Sequence, residues 1–154
     1  MYSMDMDNLY NQTYMKQACE QLQETIECDF VGLAFQESKG PNIGWKFASG
    51  NSNDKYERIT LRYGKGIAGR VLSTGRPMEI KYFPQNILGK ALEYPILLAE
   101  KLIYAYALPI LINGIPKGVL LVGFRSETCI SDDEKKLVEK AANDLIKFLT
   151  MEKL

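Results

Sequence analysis

The chain has 154 residues, with 19 basic and 19 acidic side chains, so its net charge is zero. Non-specific nucleic-acid binding needs a basic surface, so DNA or RNA is excluded as a direct partner at this stage. Histidine is absent, which removes Ser-His-Asp and Cys-His catalysis, histidine zinc sites and proximal-histidine haem together.

Residues 8–27 have helical periodicity, with Met15, Ala18, Cys19, Leu22 and Ile26 recurring at three- and four-residue steps. That spacing makes Cys19 a small core residue rather than a reactive thiol. Residues 30–35 form a short apolar strand, followed by a turn at Lys39-Gly40-Pro41-Asn42. A second strand covers 43–48, where strict alternation puts Trp45 and Phe47 on one face and Lys46 on the other. A polar loop at 50–54 leads to a third alternating strand over 56–63, with Ile59, Leu61 and Tyr63 on one side.

Residues 64–77 read as a turn, a short helix and a stop. Gly64 and Gly66 permit positive φ and close approach of the backbone to a bound group. Ile67, Val71 and Leu72 share one helical face, Gly75 sits at the C-terminal cap, and Pro77 prevents the helix from resuming. The first N–H groups of that helix have no internal acceptor and lie at its positive dipole end, a natural anion site. The plain alternative is a tight turn and nothing more. No Lys-Ser or Lys-Thr follows at the spacing of a phosphate loop.

Residues 78–80 read as a short strand, and 82–101 as the least regular region. Within it Tyr94-Pro95-Ile96 places proline at a first helical position, opening a short helix over 96–102. The strongest strands are 103–112 and 115–124, joined by Asn113-Gly114, a hairpin turn. Pro109 and Pro116 mark edge positions or bulges. Ser131-Asp132-Asp133-Glu134 is a capping box, opening a helix that buries Leu137, Val138, Ala141, Leu145, Phe148 and Leu149.

The whole reads as a single α+β domain over residues 1–154: an antiparallel sheet with both terminal helices on one face. The 64–102 region covers the other face, with a small ligand cavity beneath it. Trp45, the N–H groups of Ile67 and Ala68, and Tyr94-Pro95-Ile96 are its candidate lining. Two helix N-termini and an indole N–H, with no counter-ion, suit a small monoanion. A plain core role for Trp45 is the alternative. No apolar run nears the ~20 residues that cross a bilayer, and residues 1–7 do not read as a signal peptide. Three widely spaced cysteines point to reduced thiols and the cytoplasm.

The run Gly64-Lys65-Gly66-Ile67-Ala68-Gly69, its short helix and Thr74-Gly75-Arg76-Pro77 resemble the signature of GAF domains, small α+β sensor modules. The resemblance covers nearly all of the chain and implies the GAF fold. The Asn-Lys…Phe…Asp-Glu motif of cyclic-nucleotide-binding members is absent. Cys19, Cys28 and Cys129 all lie outside 64–102, where a bilin would attach, and haem-binding members need histidine. Free methionine-R-sulfoxide reductases carry a cysteine where this chain has Ala68, and their chemistry needs a thiolate.

Trp45, Gly66-Ile67-Ala68 and Tyr94-Pro95-Ile96 together resemble the nitrate site of the stand-alone nitrate-receptor GAF proteins of bacterial oxygen- and nitrate-responsive two-component systems. The resemblance implies a cytoplasmic, non-enzymatic protein with no cofactor, whose ligand is nitrate and whose partner is a sensor histidine kinase. Two alternatives stay open. One is a ligand-free scaffold, a homodimer through the terminal helices; the weaker one is a sulfoxide-reductase relative.

Overall fold

The computed structural model describes residues 9–37 and 40–151; Asn8, Lys39 and the sequence before Asn8 lie outside them. The chain runs α1 (Leu9–Ile26), β1 (Phe30–Gln36), β2 (Ile43–Ser49), β3 (Thr60–Leu61), α2 (Gly66–Thr74), β4 (Met78–Ile80), α3 (Pro95–Ala99), β5 (Tyr104–Ile112), β6 (Ile115–Phe124) and α4 (Asp132–Leu149). The strands form one antiparallel sheet in the order β3-β2-β1-β6-β5-β4.

The β5–β6 hairpin turns at Asn113 and Gly114, both at positive φ (53° and 78°), as a two-residue turn with the right twist requires. Both prolines sit where no neighbour needs their N–H. Pro109 lies past the end of β4, whose pairing starts at Met78 opposite Ala107. Pro116 lies past the β1 pairing, which ends at Phe35 opposite Gly118, and beside a bulge at Ile110–Leu111.

The sheet separates two apolar layers. On one face α1 (Met15, Cys19, Leu22, Ile26) and α4 (Val138, Ala142, Leu145, Leu149) pack on Val31, Leu33, Tyr104, Tyr106, Leu120 and Val122. Ser131 caps α4 reciprocally: its Oγ accepts from the Glu134 N–H at 3.1 Å, and Glu134 Oε1 accepts from the Ser131 N–H at 2.9 Å. The buried stripe of α4 runs 138, 142, 145, 149, so Leu137 is exposed and Phe148 instead stacks on Tyr14, centroids 3.7 Å apart. On the other face α2, α3 and the 78–102 region pack on Phe30, Ala34, Ile43, Trp45, Ala105, Val119 and Leu121.

Three local expectations are corrected. Strict alternation in β2 fails because the register slips: Leu33 faces Phe47 while Ala34 faces Trp45. Lys46 is the extra residue of this bulge, so Trp45 joins the α2 layer and Phe47 the helix layer. The third strand shrinks to Thr60–Leu61. Lys55–Arg58 forms a 3-10 turn closed by the Ile59 N–H on the Tyr56 carbonyl at 3.2 Å, and β3 finds partners only at Ile43 and Gly44. The short helix begins at Pro95 and stops at Ala99, because Lys101 takes a left-handed conformation (φ 55°).

Candidate functional site

Two helix starts meet under the sheet. Gly64 and Gly66 take φ of 79° and 64°, and the Gly64 N–H bonds the Gly69 carbonyl at 2.9 Å, drawing the loop shut over the first turn of α2. Lys65, at the N-cap, offers no side-chain cap. The N–H groups of Gly66, Ile67 and Ala68 therefore head the helix without an intrahelical acceptor, and all three residues are buried. A Cβ on Gly66 would come within 3.2 Å of the Glu93 carbonyl. That approach joins the α2 start to Tyr94-Pro95-Ile96, where Pro95 opens α3 and the Ile96 N–H likewise lacks an intrahelical acceptor.

Trp45 enters the same layer from β2. Gly32 on the neighbouring strand makes room for its ring, since a Cβ there would meet Trp45 Cε3 and Cζ3 at 3.1 Å. Trp45 is 2% exposed, and its Nε1 is buried with no hydrogen-bond partner. A buried donor left unpaired is costly, on the order of 1–3 kcal/mol, so this indole N–H is a functional candidate. Trp45, Ile67, Ala68, Tyr94 and Ile96 thus belong to one buried cluster, with Gly66 and half-buried Pro95 at its edge.

No family model and no curated protein matches the chain. Solved structures do. An NreA protein from Staphylococcus aureus, mutated in its nitrate binding site, is 32% identical, with a TM-score of 0.74 over 80% of this chain and 94% of that one. The chain belongs to the GAF family, in its NreA-like group. The GAF domain of a phosphoenolpyruvate-protein phosphotransferase from Coxiella burnetii shares the fold at 20% identity, with a TM-score of 0.75 over 88% of this chain and 79% of that one. So does the type II free methionine-R-sulfoxide reductase of Thermoplasma acidophilum, at 15% identity and a TM-score of 0.66, covering 90% of this chain and 94% of the enzyme.

This NreA-like GAF domain has no thiol at the candidate site. Ala68 occupies the first turn of α2, while Cys19 and Cys28 lie in the helix layer across the sheet. Burial pushes the Cys19 thiol up to about 12 and that of Cys28 up to about 11, so neither is a thiolate near neutral pH. Cys129 is exposed, just ahead of α4.

The sequence reading missed Arg70. Helical side chains lean toward the N-terminus, so Arg70, four residues after Gly66, is aimed back over the glycine turn. Its guanidinium lies 5.9 Å from the Tyr94 ring centroid, and its Nε is buried without a partner. Tyr94 is pinned beneath it: its hydroxyl donates to the Leu88 carbonyl at 2.6 Å, and its ring meets Phe83 edge-on. The site therefore has one cation nearby, where the sequence reading had none. A separate groove of about 420 Å³ lies between α1 and α4, lined by Tyr14, Ala18, Leu22, Leu137, Ala141 and Leu145 among others, and is remote from these donors.

Proposed function

We propose that this chain is a receptor for nitrate, or for a monoanion of the same shape, and that its occupancy changes how the protein contacts a sensor histidine kinase. The observation that carries the reading is Trp45 Nε1, a buried donor without an acceptor in the same layer as the uncapped start of α2. Neutral N–H donors at a helix start suit an anion of low charge, and Arg70 adds a single positive charge beside them. The similarity to NreA, a protein with a nitrate binding site, supports nitrate as the anion. On this reading the protein is a sensor and catalyses nothing, because Ala68 stands where a sulfoxide reductase needs its thiolate.

Thermal unfolding with and without millimolar nitrate tests it. A ligand at one hundred times Kd adds roughly 2.7 kcal/mol by mass action. The expected result is a nitrate-specific rise in the midpoint. An equal rise with chloride at matched ionic strength, or none, overturns the reading. The kinase effect is then measured as autophosphorylation with and without this protein, and it can be no larger than the difference in kinase affinity between the empty and filled forms.

A further inference from the structure

Charge is unevenly distributed over this neutral chain. Residues 62–101 hold seven lysines and arginines against three glutamates. Each glutamate is engaged within the fold. Glu79 accepts from the Tyr104 hydroxyl and pairs with Lys135, and Glu93 accepts from the Lys90 N–H. Glu100 pairs with Arg125 at 2.6 Å. None of the seven cations has an ion pair among the described residues. Among the described residues, the segment that carries α2 and α3 thus has positive charge that no ion pair offsets.

Large exposed apolar side chains alternate with those cations along the chain. Tyr82 follows Lys81, Leu88 and Leu92 flank Lys90, and Leu98 precedes Lys101. Their exposures are 50%, 66%, 84% and 42%. The segment carrying them is anchored in the core by Phe83, Tyr94, Ile96 and Leu97. We infer that residues 81–101 form a docking surface for a protein partner that presents carboxylates around an apolar patch. Apolar anchors rimmed by charge are the anatomy of a protein interface, and opposite charge on the partner would steer and orient the encounter. A membrane-binding element would instead present one continuous amphipathic stripe. Here α3 has five residues, and its apolar side chains divide between the core and the surface.

Charge and exposure locate the surface, and the partner assigned to it, a sensor histidine kinase, rests on the nitrate-receptor reading. The probe is the purified cytoplasmic portion of the sensor histidine kinase from the same organism, with binding measured against the full chain. The test variants are Lys81→Glu with Lys90→Glu, and separately Leu92→Ser. Lys136→Glu with Lys147→Glu, on the exposed side of α4, makes the same change in net charge and is the control. Each test variant is expected to weaken kinase binding roughly tenfold or more. The control is expected to bind as wild type does, and all variants should keep the unfolding midpoint and the nitrate shift.

Four results would overturn the inference: no kinase binding by wild type, undiminished binding by the test variants, an equal loss in the control, or wild-type binding to anionic phosphatidylglycerol vesicles with none to the kinase. Loss of the nitrate shift alone, with kinase binding mapped to 81–101, would remove the receptor reading and leave the docking surface standing.

Discussion

The Arg70 guanidinium lies over the Tyr94 ring, 5.9 Å from its centroid, with a buried Nε that has no acceptor. One residue starts α3 and the other leans back from α2, so the contact ties the two helix starts together at the proposed anion site.

If Arg70 serves the anion, Arg70→Met should lower nitrate affinity on the order of tenfold, because hydrogen bonds involving charge are worth roughly 1.5–3 kcal/mol. The salt dependence of binding should also flatten. Titration calorimetry at two ionic strengths reads both, and unchanged affinity would reduce Arg70 to packing on Tyr94. With one cation present, sulfate should bind more weakly than nitrate, since its second charge would go unpaired.

Trp45→Phe keeps most of the apolar ring and removes the N–H. Nitrate affinity should fall on the order of tenfold to a hundredfold. Stability without nitrate should change little, because the variant also removes an unpaired buried donor. Trp45→Ala confuses the two effects by opening a cavity worth about 3–5 kcal/mol. Affinity and unfolding midpoint measured on one preparation separate them. Retained affinity with reduced stability would make Trp45 an ordinary core residue.

The two turn glycines are expected to respond differently. Both take positive φ, so alanine costs each of them roughly 1–2 kcal/mol of strain. A Cβ at Gly64 meets nothing within 4 Å, whereas one at Gly66 comes within 3.2 Å of the Glu93 carbonyl. Gly64→Ala should therefore lose stability and keep nitrate affinity. Gly66→Ala should lose both, and equal nitrate affinities would count against a site at the start of α2.

Stability should vary little between about pH 6 and pH 8, because no histidine titrates there. Burial raises the Cys19 thiol from 9.0 to about 12 and the Cys28 thiol from 9.0 to about 11. A group raised on folding contributes fully below its unfolded value, and that contribution is lost as pH climbs toward the folded one. Unfolding midpoints should therefore decline from about pH 9 upward. Cys19→Ala should make that decline shallower, whatever it does to the midpoint at neutral pH. An unchanged alkaline slope would exclude Cys19 as a contributor.

Glu100 is completely buried. Its Oε1 accepts from Arg125 and from the Ser52 N–H at 2.8 Å, while Oε2 has no partner. Arg125 also donates to the carbonyls of Asp29, Gly50 and Glu100. Arg125→Met strands a buried carboxylate and should cost roughly 3–5 kcal/mol. Adding Glu100→Gln should recover part of that loss in chemical denaturation, and a double variant no more stable than Arg125→Met would refute the charge-burial account.

Much of the architecture was legible because its signals are local. Asn113-Gly114 specifies its turn by backbone conformation, and Ser131 and Glu134 specify a helix start by two hydrogen bonds. That both terminal helices share one face followed from the order of the elements along the chain. What escaped the sequence depends on partners distant in the chain. The β2 bulge exists only against β1, and the third strand is short because it finds partners only at Ile43 and Gly44. Arg70 drew no reading from the sequence, because what marks it is its approach to Tyr94, 24 residues along the chain. Trp45 joined the expected layer, but through a slip in register that alternation alone could not supply.

That slip separates the facing of β2 from its composition. Lys46 is exposed and ion-paired with Glu37 at 2.7 Å, so its side chain could be exchanged at small cost. Its place outside the ladder could not. Pairing residue 46 with β1 would turn Trp45 and Phe47 to the same side of the sheet, whereas deleting it would leave the two adjacent and still on opposite sides. Chains that keep this arrangement are therefore free to vary the identity of residue 46, or to lose it, but not to pair it.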